Sequence, residues 1–188
     1  ESGKKGGTTM PSKNRRKTPQ NQNHPPNDSK PEPEFFLEGD RLTRFLHSIR
    51  KQIESHRDSD KSLPEKLWLK RQFAVGVNEV TRILERMPAS PESRNVSGAK
   101  LQAVLIASDC NPRWLTKHLP NLAASRNVSV IFVKDNKEGS LRLGEIVKLK
   151  TAIALGIKDK GSCINEFVQR IVDANGDELM DSVELGTE

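Results

Sequence analysis

AVLIASDCNPRWLTKHLPNLAASRNVSVIFV, Ala103 to Val133, runs through a strand, a helix and a second strand without a break. Ala103 to Ala107 is an unbroken apolar run, Pro112 opens a helix bearing Leu115, Leu119 and Leu122, and Val128 to Val133 forms the next strand. Strands that are apolar at consecutive positions are buried on both faces, so helices must cover the sheet on both sides.

The same alternation continues in both directions. Upstream, Phe73 to Val75 is a short apolar run ended by Gly76, Asn78 to Arg86 is a helix with Val80, Ile83 and Leu84 inward, and Met87 to Lys100 is a Pro/Ser/Gly loop. Downstream, Thr151 to Ile157 predicts a third strand and Ile164 to Val172 a closing helix, with Asn175 and Gly176 as residues suited to stop it. The fold class is α/β, a three-layer α/β/α sandwich around a mixed sheet.

Before this domain, Leu42, Phe45, Leu46, Ile49 and Ile53 recur at helical spacing, with Asp40 placed to cap the start. A second short helix follows, where Ser62 and Glu65 have the spacing of a capping box and Trp68 supplies apolar surface. Four segments are expected: a disordered basic tail over 1–34, an accessory helical segment over 35–70, the α/β/α domain over 71–175 and an acidic tail over 176–188.

The tails differ in charge. Residues 1–30 hold one apolar side chain, Met10, and seven cations against Glu1 and Asp28. After Arg170 there is no Lys or Arg, only Asp173, Asp177, Glu178, Asp181, Glu184 and Glu188. The segment between them is basic in its own right within a chain of formal charge +6. A polyanion is the implied partner class, although a modest positive balance also serves solubility. No run approaches the length that crosses a bilayer and no apolar secretion core is visible, so no membrane partner and an intracellular location are expected. The cluster Lys13, Arg15, Arg16 and Lys17 has the composition of a nuclear import signal or of a loose phosphate-binding arm.

Catalytic and metal chemistry find little support. In GSLRLGE, Gly139 to Glu145, the glycines have phosphate-loop spacing, but Glu145 and Ile146 stand where Lys and Ser or Thr would grip phosphate and magnesium. Cys110 and Cys163 are isolated, as befits reduced structural thiols, and the four histidines lack metal spacing. Asp173 to Glu184 places acidic or amide residues at calcium-loop positions, yet Glu178 occupies the glycine position, which favours a solvated acidic tail. No catalytic residue, metal ligand or cofactor is assigned.

The remaining signal is the polar start of GVNEVTRILER, Gly76 to Arg86. A glycine turn between strand and helix exposes the first amides of the helix to an anion. Asn78 can donate and accept, Glu79 can accept from a guanine edge, and Arg82 can fork onto guanine. The plainer alternative is that Asn78 caps the helix and Glu79 favours its dipole.

GVNEVTRILER together with VLIASDCNPRWLTKHLPNLAASRNVSVIFV resembles the kink-turn RNA-binding superfamily of ribosomal protein L7Ae. Its members share a G-x-N-E-x-T-[KR] helix start, a strand ending before D-x-x-P, and a later H-L-P. With LKTAIALGI, Leu149 to Ile157, the chain is most similar to the branch of protein subunits of eukaryotic ribonuclease P and ribonuclease MRP. The resemblance implies an α/β/α sandwich that meets sheared G·A pairs of a bent RNA through Gly76, Val77, Asn78, Glu79 and Arg82. It further implies contacts at Asn111, Leu115, Val133, Lys134 and Arg142. The chain departs from the family in having Asn111 for a common acidic residue, Glu145 for a common basic one, and the long insertion Met87 to Lys100.

The implied function is RNA binding without catalysis by the protein. The expected setting is a ribonuclease P/MRP particle acting on tRNA 5′ ends and rRNA in the nucleus and nucleolus, with other ribonucleoprotein subunits as partners. The alternatives are a ribosomal or small nucleolar ribonucleoprotein component, of box C/D or H/ACA type, and a protein-interaction module of the same fold that binds no RNA.

Overall fold

The computed structural model of the chain describes residues 2–3, 7, 35–89, 98–136 and 138–174. The chain divides into two compact units, Glu1–Pro31 and Glu32–Glu188, and the second contains the fold. Apart from Ser2, Gly3 and Gly7, the two expected tails lie outside the described residues, as do the middle of the insertion and the helix stop expected at Asn175 and Gly176.

The elements in chain order are β1 (Phe35–Glu38), α1 (Gly39–Ser59), α2 (Glu65–Gln72), β2 (Phe73–Val75), α3 (Val77–Arg86) and β3 (Leu101–Ala107). A 3-10 turn (Arg113–Leu115) precedes α4 (Leu119–Ala124), β4 (Ser129–Lys134), α5 (Gly139–Ile146), β5 (Ala154–Lys158) and α6 (Cys163–Asp173). The strands form one sheet in the order β1-β4-β3-β5-β2. β4 lies parallel to both β1 and β3, while β5 runs antiparallel to β3 and β2, so the sheet is mixed.

Side-chain alternation along the strands makes the two outer layers possible. Ala103, Leu105 and Ala107 of β3 join the core shared with α1, α2, α5 and α6, whereas Val104 and Ile106 join the core under α3 and α4. Leu101 breaks the alternation and sides with Val104, because a register shift between Leu101 and Ala103 turns the strand over. The α/β/α sandwich read from the sequence is the observed architecture.

Residues 35–70 are not an accessory to this sandwich. Phe35–Glu38, read only as the approach to a helix, is an edge strand paired with Ile131–Lys134 of β4. From α1, Leu42, Phe45, Leu46, Ile49 and Ile53 pack into the main core, and Phe45 stacks on Phe167 of α6 at 5.8 Å. A four-residue strand offers too little periodicity to be seen, while the apolar face of α1 states that it is covered without saying by what.

Several local expectations are corrected. Asp40 lies in the first turn of α1, and the cap is Glu38 with no side-chain bond. Ser62 donates its hydroxyl to Asp60, and α2 begins behind Pro64 with no side-chain cap. A capping box does form at Ser162 and Asn165, which opens α6. The helix expected from Pro112 breaks in two, because Pro120 lacks the N–H that a continuous helix would need there. Residues 139–146, weighed only as a phosphate loop, form α5, where glycine is required by crowding. A Cβ on Gly139 would meet the Val133 carbonyl at 2.8 Å, and one on Gly144 the Leu149 carbonyl at 2.7 Å.

Candidate nucleic-acid interface

β2, β3 and β4 all run toward the same edge of the sheet, and their C-terminal ends are fastened there by backbone hydrogen bonds. The Gly76 N–H donates to the Ala154 carbonyl at 2.8 Å, the Ala107 N–H to Ile153 at 2.9 Å, and the Ser108 N–H to Val133 at 2.9 Å. The turn before α3, the loop after β3 and the loop after β4 therefore leave the sheet side by side. Ends of strands in an open α/β sheet are where such folds place ligands.

Gly76 is the N-cap of α3, with φ 91° and ψ 157°, and no side chain caps this helix. In the first turn the amides of Val77, Asn78 and Glu79 have no acceptor within the helix, which leaves a concentrated positive end. Asn78 is not the cap but the second helical residue, exposed beside those amides. Glu79 and Arg82, expected to act separately, form an ion pair with each other one turn apart. Behind them, Val80, Ile83 and Leu84 fix the helix face in the core.

A groove separates α3 from the 3-10 turn, lined by Val77, Asn78, Thr81, Arg82, Glu85, Trp114, Leu115 and His118. Thr81 Oγ1 and His118 Nε2 lie 2.8 Å apart across it, so the two walls are hydrogen-bonded together. A second groove on the far side of α3 is lined by Glu79 and the cations Arg82, Arg86, Lys100 and Lys158. Lys158 Nζ donates to the Lys70 carbonyl at 2.7 Å; burial holds its ammonium below the ordinary value, against the pull of the Glu79 carboxylate.

The fold thus brings Gly76, Val77, Asn78, Glu79, Arg82 and Leu115 together around the start of α3. Asn111 is exposed on the neighbouring loop. Val133 is fully buried and its carbonyl already accepts from Ser108, so its side chain cannot reach a ligand. Lys134 pairs with Glu38 at 2.8 Å. Arg142 donates to Asp135 at 2.6 Å and lies 3.6 Å from Glu145; the hydrogen bond to Asp135 holds its guanidinium above the ordinary value. Neither cation lines the α3 groove. Four groove residues escaped the sequence reading, Thr81 and Glu85 on α3 and Trp114 and His118 opposite them. The signal for the latter pair was their spacing from Leu115 in RWLTKHLP, which the assumption of a continuous helix obscured.

Among the described residues no three His, Cys, Asp or Glu side chains converge as a metal site, and no helix is long and apolar enough to cross a membrane. Cys110 and Cys163 are free thiols.

Fold and site define a three-layer α/β/α domain with an uncapped helix start and exposed polar side chains where three strands end. Residues 61–166 match the ribosomal protein L7Ae/L30e/S12e/Gadd45 family, and the chain belongs to that family. It is 32% identical over 104 residues to ribonuclease P protein subunit p38 of Homo sapiens, covering 55% of this chain and 31% of that protein. It is 33% identical over 100 residues to the large ribosomal subunit protein eL8 of Caenorhabditis elegans, covering 51% of this chain and 32% of that protein. The match therefore spans about a third of the length of these relatives. Among solved structures, the Giardia lamblia 15.5kD RNA binding protein shares the fold, with a TM-score of 0.50 and 17% identity over 74% of this chain and 90% of that one.

Proposed function

We infer that the chain is an RNA-binding protein that receives a kink-turn-like element at the mouth of α3. The observation that carries this reading is the uncapped helix start behind Gly76, where free amides, Asn78 and the Glu79 and Arg82 pair stand together at the sheet edge. Amides and Arg82 suit phosphate and guanine, and Asn78 and Glu79 suit the exposed edges of sheared G·A pairs.

The favoured setting is a non-catalytic protein subunit of ribonuclease P or MRP, acting in tRNA 5′ and rRNA processing in the nucleus and nucleolus. Similarity to the ribonuclease P protein subunits supports this setting. A second reading, a component of the ribosome or of a box C/D or H/ACA particle, is supported by the nearly equal identity to eL8.

The test is binding of the full chain to an RNA duplex with a three-nucleotide bulge beside tandem G·A pairs, against the same duplex without the bulge. Preference for the bulged RNA, lost in Arg82→Ala, is the expected result. Equal binding of both RNAs, unaltered in Arg82→Ala, would overturn the kink-turn site, and binding of neither RNA would overturn the reading in favour of a protein-interaction module. Sequencing RNA crosslinked to the protein in cells separates the two particle classes.

A further inference from the structure

Trp114 is 70% exposed, more than any other large apolar side chain among the described residues. The other tryptophan, Trp68, is fully buried. An indole left in water beside polar groups presents a flat apolar face and an N–H donor to whatever docks there.

Its position is built rather than loose. The 3-10 turn that carries it is closed by the Leu115 N–H donating to Pro112 at 3.2 Å and the Thr116 N–H to Arg113 at 3.3 Å. Beneath it, Thr116 and Leu119 are buried. The opposite wall of the groove is the first two turns of α3, and the bond between Thr81 and His118 fixes the spacing of the walls. Apart from the indole, only Val77 and Leu115 make the groove apolar, and the rest of the lining is polar or charged. An apolar peptide would want a wider apolar floor. A nucleobase wants one flat π-face and polar groups at its rim, which this groove has.

We propose that Trp114 is a stacking platform for an unpaired nucleobase of the bound RNA, held in the groove between the 3-10 turn and α3 beside Asn78 and Arg82. This rests on the RNA-binding reading above and adds a contact at a residue outside the helix start. The base lies against the indole face, and the polar wall of α3 meets its edge.

The experiment uses the full chain and the bulged RNA duplex, with each bulge nucleotide replaced in turn by an abasic site. Since Trp68 is buried, quenching of tryptophan fluorescence by added RNA reports on Trp114. RNA should quench the wild type, and Trp114→Ala should bind roughly tenfold or more weakly, with Trp114→Phe between the two. One abasic position should weaken the wild type by a similar factor and Trp114→Ala hardly further. Circular dichroism of the exposed-site variants should match the wild type.

If Arg82→Ala weakens binding but Trp114→Ala does not, and RNA leaves the fluorescence unchanged, the stacking proposal is overturned while RNA binding stands. If the wild type ignores the RNA altogether, both fall. If Trp114→Ala keeps full RNA affinity but loses a co-purifying protein, the indole serves a protein contact and the proposal is likewise overturned.

Discussion

The carboxylate of Asp109 accepts two hydrogen bonds from Ser140, one from its backbone N–H and one from its hydroxyl, each 3.0 Å long. This joins the loop after β3 to the first turn of α5 and holds both loops at the sheet edge. Asp109→Ala removes both bonds and an acidic group from a helix start, so it should lower stability by about 1–2 kcal/mol. Urea unfolding should show a lower midpoint at unchanged slope, and Ser140→Ala combined with Asp109→Ala should cost less than the two losses added.

Glu79 and Arg82 pair in the open, with side chains 33% and 56% exposed. An exposed pair of this kind contributes roughly 0.5 kcal/mol or less. Arg82→Ala and Glu79→Ala should therefore melt close to the wild type and still bind the bulged RNA about tenfold or more weakly, as a lost bidentate base contact would require. Parallel melting and RNA titration check this, and a large drop in melting temperature would make the affinity loss a folding effect.

Gly76 sits at a positive φ that is almost confined to glycine. A Cβ there would touch nothing within 4 Å, so the whole cost of Gly76→Ala is in the backbone. That cost is about 1–3 kcal/mol, and relief of the strain would tilt the amides of α3. Chemical denaturation should register the loss, and RNA affinity should fall more than it does for Glu85→Ala on the same helix.

Burial lowers the folded-state pKa of Lys158 below its ordinary value. Between these two values the unfolded chain holds the proton that the folded chain has released, so stability due to this group rises with pH across that alkaline window. The gain is complete above the unfolded value and disappears as pH falls through the folded one. Urea midpoints taken from about pH 8 to about pH 11 should show a rising component in the wild type that Lys158→Met lacks.

The sandwich was legible because β3 and β4 are apolar at consecutive positions, and only burial on both faces explains that. The start of α3 was legible because its glycine, polar row and apolar stripe occur together in eleven residues. What stayed hidden depends on partners distant in sequence. The 3-10 turn that carries Trp114 replaces the continuous helix expected from Pro112, and the withdrawal of Val133 follows from its place opposite Ala107 in the sheet. The pairing of Lys134 with Glu38 follows from β1 crossing back beside β4. Charge alone made Lys134 and Arg142 look available, while their carboxylate neighbours come from other parts of the fold or the next turn of the same helix.

The edge strand and α1 lie before the stretch that carries the family signature, residues 61–166. A fragment trimmed to those limits would keep every loop at the sheet edge yet leave Leu105, Ile131 and Val133 without the ridge of Phe45 and Ile49 that shelters them. Such a fragment would be a half-roofed scaffold prone to self-association. The signature and the compact unit that shares this core are thus different lengths of polypeptide.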